Sequence, residues 1–172
     1  MYSKFSYFTL FIVTLLLQAF LFNNLTISVY LNPLVYIAFV ALLPLDISRG
    51  WLLLAGLVSG LAADWTMAGA GMNTIATVLI AYLRPFILDL LIGKENIREG
   101  GAPSSERFGV WDFLCYLSVV VLLHHFIFFL LEALSWAHIW STLLRLVVSG
   151  VVSIGCTWLA ARLMTSKFSA RL

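Results

Sequence analysis

Residues 51–65 read WLLLAGLVSGLAADW, with one charge, and that charge at the end. An apolar run of this kind, extended to Ala68, has the length of a helix crossing a hydrocarbon core about 30 Å thick. Gly56, Gly60 and Asp64 stand four residues apart. That spacing puts all three on one helix face, the small-xxx-small pattern that lets helices approach closely in lipid.

Working outward, five more apolar stretches appear: Phe5–Phe22, Ile27–Leu45, Met72–Leu88, Phe113–Leu134 and Ile139–Leu163. With Trp51–Ala68 they predict six transmembrane helices. The alternation of a barrel strand is absent, and lipid offers no partner to an open backbone group, so helices are required. Composition agrees. Charged residues make up 10% of the chain and hydrophobic ones 62%, with a mean hydropathy of +1.03. A soluble domain carries about 25% charged residues, so this chain could not cover its surface against water. The expectation is an all-α polytopic membrane helix bundle, one domain over 1–172. Phe5–Phe22 is too long for the apolar core of a cleaved signal, and Asn23-Asn24-Leu25 is a poor cleavage site, so it reads as a retained first helix.

Lys and Arg set the orientation. With the N-terminus inside, the cytoplasmic segments hold Lys4, Arg49, Lys94, Arg98, Arg107, Arg162, Lys167 and Arg171. The outside loops, near Asn23–Thr26, Ala68–Gly71 and Ser135–His138, hold none. Both termini are therefore expected in the cytoplasm. Trp51, Trp111 and Trp158 fall near inner ends, and Trp65, Trp136 and Trp140 near outer ends, where an amphipathic ring sits well. Residues 93–110 form the one sizeable loop. Its mixed charges, Gly100-Gly101 and Pro103 predict a flexible cytoplasmic linker. The fourth span is read as ending at Arg84-Pro85, with Pro85 kinking it and the following residues lying along the inner interface. Arg84 and Asp89 are expected at that interface.

Asp64 is the residue of most interest, because a carboxylate within a span is expensive. It reads as a polar anchor in a helix seam, as a ligand or proton site, or as a hydrated group near the outer surface. Glu132 and Arg145 lie near the outer ends of adjacent spans, so an ion pair between them is favoured over separate snorkelling. Arg145 is also the available cation for Asp64, with Glu132 as a third member. His124-His125 invites a metal or proton reading. Neighbours on a helix point about 100° apart, however, and packed, hydrogen-bonded histidines are expected. Glu132 follows His125 by two turns on the same face. Cys115 and Cys156 read as small apolar residues. Ser149, Ser153 and Ala160 give the last span a face for close helix approach. No catalytic residue, metal ligand or cofactor site is assigned. There is no Walker motif, no HExxH, no glycine-rich phosphate loop and no basic arm for nucleic acid. Gly56, Gly60, Asp64, Glu132 and Arg145 are the candidates for helix packing or partner contact.

Leu54-Ala-Gly-Leu-Val-Ser-Gly-Leu-Ala-Ala-Asp64, followed by Gly71-Met72-Asn73-Thr74 and Ala81-Tyr82-Leu83, resembles the rod shape-determining protein MreD family. In that family a glycine-spaced helix ends in aspartate and a glycine turn opens the next span. Leu17-Gln18, Leu21-Phe22 and Pro33 fit the same pattern, and the likeness covers nearly the whole chain. Thr66-Met67-Ala68-Gly69-Ala70 departs from the aromatic or proline-rich lead that the family often has before its turn.

The resemblance implies a non-enzymatic scaffold of the bacterial cell-elongation complex in the inner (cytoplasmic) membrane. Such a protein binds the bitopic protein MreC, and through it helps link the MreB cytoskeleton to peptidoglycan synthesis for cell-shape control. It further implies a fold similar to the substrate-binding subunits of energy-coupling-factor vitamin transporters. That likeness supplies the alternative function, a membrane-embedded vitamin-binding subunit. Fold alone does not choose between them.

Overall fold

A computed structural model describes residues 4–24, 30–133 and 139–169. The expected outer loop at Ser135–His138, with Trp136, and the C-terminal Arg171 lie outside the described residues. Those residues form helices and turns, with no strand among them. The helices are α1 (Lys4–Leu16), α2 (Ile37–Ala41), α3 (Arg49–Met67), α4 (Met72–Leu91), α5 (Lys94–Arg98), α6 (Ser105–Phe108), α7 (Val110–Ala133) and α8 (Ile139–Ser169).

Five helical stretches are long and apolar enough to cross a membrane: Tyr7–Asn24, Arg49–Met67, Met72–Leu91, Val110–Ala133 and Ile139–Met164. The first is α1 prolonged by a π turn, Leu17–Leu21, and a 3₁₀ turn, Phe22–Asn24. Of the sixth expected helix, Ile27–Leu45, residues 27–29 lie outside the described residues, and residues 30–45 do not form one continuous helix. Residues 31–34 have no regular structure, α2 has five residues, and the chain unwinds again after it. Asn32 and Pro33 account for part of this, since proline disfavours helix in the residue before it.

The molecule is inside out by the standards of a soluble protein. Its outer surface carries Trp65, Leu90 and Trp140, each more than four-fifths exposed, among many other apolar side chains. Its interior holds Gln18, Asn73, Thr77, Arg84, His124, His125, Ser149 and Ser153, all buried. Apolar area of that extent marks a surface made for lipid. Together with the five long helices, this describes a helical membrane bundle.

α3, α4, α7 and α8 pack as successive antiparallel neighbours, and α2 is the plug that touches α1, α3, α4, α7 and α8. Ile37, Val40 and Leu42 pack with Leu52, Ile80, Phe113 and Leu117 in one apolar cluster. Leu34 and Tyr36 pack with Ala63, Ala76, Phe128 and Phe129 in a second. The α3–α4 seam is the closest. A Cβ on Gly60 would stand 2.5 Å from Thr74 Cα, and one on Gly56 2.8 Å from Ala81 Cβ.

Two expectations give way here. α4 continues as helix through Pro85 to Leu91, so the span does not end at Arg84-Pro85, and Ile87 and Leu88 beyond the proline bury into the core. The 93–110 loop is also folded rather than a free linker. Arg107 donates to the carbonyls of Gly100 and Asn96 and pairs with Glu99 at 3.0 Å, binding α5 to α6. Leu45 N–H donates to Gly101 O at 2.7 Å, and Gly101 N–H to Asp46 at 3.3 Å, so the loop also caps the end of the plug segment.

Candidate functional site

The buried polar side chains converge on the unwound segment, residues 30–36. Backbone without helical hydrogen bonds at membrane depth is tolerated only where other groups satisfy its N–H and C=O. Here side chains do so from three helices. Gln18, on the π turn after α1, accepts from Val35 N–H at 2.7 Å and Tyr36 N–H at 3.4 Å, and donates to Pro33 O at 3.1 Å. His125 on α7 accepts from Leu34 N–H at 3.2 Å. Ser149 on α8 accepts from Asn32 N–H at 2.9 Å and donates to Tyr30 O at 3.2 Å. Pro33 has no N–H to satisfy. A π turn re-aims one side chain out of the helical register, and here that side chain is Gln18.

The hydrogen positions follow from the acceptors. Both oxygens of Asp64 accept: Oδ1 from Asn73 N–H and Nδ2, each at 3.0 Å, and Oδ2 from Thr74 N–H at 2.9 Å and its hydroxyl at 2.5 Å. Asn73 therefore turns Oδ1 inward, where Tyr36 Oη donates to it at 3.0 Å. The Thr77 hydroxyl donates to Asn73 O at 2.7 Å. Both hydroxyl protons are now used. With both hydroxyls donating to Asn73, His124 Nε2, 2.9 Å from Tyr36 Oη and 3.2 Å from Thr77 Oγ1, is assigned as the donor. Its Nδ1 is then a bare lone pair, buried and without a hydrogen-bond partner among the described residues. His125 takes the opposite tautomer. Nδ1–H donates to Val121 O at 2.8 Å, and Nε2 accepts from Leu34 N–H and from the Ser153 hydroxyl at 3.0 Å.

Arg84 performs the same service beyond α2. It is 1% exposed. Nε donates to Tyr116 Oη at 2.9 Å, and the two amino groups donate to the carbonyls of Ala41, Leu43 and Pro44. Tyr116 passes its own proton to Ala41 O at 2.7 Å. The cation is thus balanced by carbonyl dipoles where a helix ends, as transporters balance bound cations at helix C-termini, and no carboxylate among the described residues takes part. The expectation that Arg84 sits at the interface is corrected: it turns inward because those carbonyls have no helix to complete them.

Of the sequence candidates, Gly56 and Gly60 lie in the α3–α4 seam, and Asp64 closes it by capping the N-terminus of α4, where a negative charge is favoured. The hypothesised Asp64–Arg145 coupling is not found, because the Asp64 oxygens are spent on Asn73 and Thr74. Arg145 instead grips Glu132, at 2.9 Å and 3.4 Å, and lies 4.9 Å from the centre of the Phe129 ring. His125 and Glu132 consequently serve different partners and form no reactive pair. No group of three His, Cys, Asp or Glu side chains among the described residues could hold a metal ion. Gln18, Tyr36, Asn73, Thr77 and Tyr116 were not singled out as site residues. Their signal is a polar side chain inside an apolar stretch, which Gln18, Asn73 and Thr77 all give.

Chemically the site is a set of donors and acceptors matched to one backbone segment. Comparison with protein-family models, with curated proteins and with solved structures finds no match for this chain.

Proposed function

We propose that the chain is a non-enzymatic scaffold of the bacterial cell-elongation complex, as its resemblance to MreD implies. On this reading it sits in the cytoplasmic membrane with both termini in the cytoplasm and binds an MreC-like bitopic protein. Through that partner it helps link the MreB cytoskeleton to the cell-wall synthases. Residues 30–45 make the sixth crossing as a broken span inside the bundle. The supporting observation is that Gln18, Arg84, His125 and Ser149, all buried, are committed to the chain's own unwound backbone, which suits a rigid adaptor. Purification of the tagged chain from mild detergent, with mass spectrometry of the copurifying proteins, is expected to recover an MreC-like protein. Recovery of an ATPase module without such a protein would reject the scaffold. Reporters fused after Lys94 and at Leu172 should read cytoplasm, and one at Ala137 the opposite side. A C-terminus on the outer side would end the six-crossing model.

One observation favours the second reading, a vitamin-binding subunit. Broken spans near the midplane hold substrates in transporters, and His124 Nδ1 stands buried beside such a break without a hydrogen-bond partner among the described residues. A stoichiometric vitamin in the purified protein would reverse the order of the two readings.

A further inference from the structure

The α3–α4 hairpin carries an apolar groove of about 560 Å³ on its outer face, lined by Leu53 and Leu57 from α3 and by Ile75, Val78, Leu79 and Tyr82 from α4. That volume lies within the range of about 300–1,000 Å³ typical of ligand pockets. Thr74 also borders it, but its hydroxyl is given to Asp64, so the wall offers nothing polar. The groove has a direction. Arg49, Leu53 and Leu57 follow one another at four-residue spacing on α3, and Phe86 continues the line of Tyr82 on α4, their ring centres 5.8 Å apart. At this mouth the Arg49 guanidinium lies over the Phe86 ring, 5.6 Å from its centre. Arg49 is exposed, and it stands at the end of the bundle that also carries the folded loop. From Ile75 to Phe86 the groove and its mouth span about 16 Å at about 1.5 Å per residue. One leaflet of a hydrocarbon core about 30 Å thick has nearly the same depth.

A cation at the interface above an apolar slot one leaflet deep matches an amphiphile with a negative head and a long tail. We propose that this groove is a binding site for an anionic phospholipid, with the acyl chain along Leu53, Leu57, Val78 and Tyr82 and the phosphate-bearing headgroup on Arg49. The planar guanidinium pairs with phosphate oxygens while its face stays on Phe86. The inference does not rest on the scaffold reading.

The test is native mass spectrometry of the full chain in mild detergent, titrated with phosphatidylglycerol or phosphatidylcholine of equal chain length. One lipid per chain is expected to be retained, with about fivefold preference for phosphatidylglycerol, the size of one basic contact near a headgroup. Arg49→Gln is expected to abolish the preference and Arg49→Lys to keep most of it, which separates lost charge from lost folding. Arg98→Gln, at the same end but away from the groove, should keep it. Val78→Phe, which fills the slot, should lower retention of both lipids. Equal retention of the two lipids by the parent chain, or a preference that survives Arg49→Gln, overturns the proposal. So does a second copy or another protein's span that rides on the parent chain in place of lipid and is lost with Val78→Phe.

Discussion

Asp64 shows how a carboxylate survives at the end of a span without a cation. Four donors from Asn73 and Thr74 surround it, two of them the first free amides of α4. Asp64→Asn removes the charge and turns one acceptor into a donor facing donors. It is expected to cost about 1–2 kcal/mol, as loss of a helix cap does. Because Arg145 is held by Glu132, Asp64→Asn and Arg145→Gln should add within about 0.5 kcal/mol in thermal unfolding in detergent. Non-additivity above about 1 kcal/mol would restore the coupling that this geometry rejects. The turn beside Asp64 holds Ala68 at φ 51° and Ala70 at φ 49°, a region that suits glycine. Gly69 between them has no room for a side chain, since a Cβ would strike Asn73 Nδ2 and Asp64 Oδ1. Relief of the strain in Ala68→Gly should raise stability by about 1 kcal/mol, read as a higher Tm. A fall in Tm would mean that the alanine methyl packs more usefully than the backbone strain suggests.

At the scale of elements, the α3–α4 seam depends on backbone approach, because apolar area drives no association between helices already in lipid. Gly60→Ala places a methyl 2.5 Å from Thr74 Cα, and backbone cannot step aside cheaply. The expected loss is about 1–3 kcal/mol. Gly155→Ala meets nothing within 4 Å and should be neutral or stabilising by up to about 1 kcal/mol. Equal effects of the two would show that the seam is looser than its geometry. The long helices, the seam glycines and the Glu132–Arg145 pair could be read from the sequence because each is a local signal, a run of apolar residues or a short spacing. The broken span could not. Its backbone partners lie 17, 91 and 117 residues away, at Gln18, His125 and Ser149, and only Asn32-Pro33 hints at the break locally. Arg84 misled for the same reason. Next to a proline near a helix end it looks interfacial, until the unwound carbonyls that claim it are known.

Over the whole molecule, the polar groups form two belts across the plug. One joins Asp64, Asn73, Tyr36, Thr77 and His124. The other joins Arg84 and Tyr116 to the carbonyls after α2. Gln18, His125 and Ser149 hold the unwound segment that leads into the first belt. This arrangement favours one register for the plug, since a slip by a single residue in either direction would bring Pro33, which has no N–H, to a clamp that now takes the amide of Asn32 or Leu34. His125→Leu would leave the amide of Leu34 and the hydroxyl of Ser153 unanswered. A loss of about 2 kcal/mol or more is expected, measured as a lowered midpoint of unfolding in detergent. His125→Gln, which can still accept a hydrogen bond, should recover part of it. An undiminished midpoint for His125→Leu would show that the unwound segment does not need the clamp.

The plug also sets an order of assembly. Residues 30–36 leave the ribosome well before α7 and α8 exist, yet two of their three clamps belong to those helices. A translocon releasing this segment early would deliver bare amides and carbonyls into lipid. The nascent chain must therefore keep it sheltered, at the lateral gate or on an insertase, until Ser149 arrives. A chain cut before α8 would carry a permanent flaw that quality-control proteases could recognise, even with every earlier helix correctly inserted.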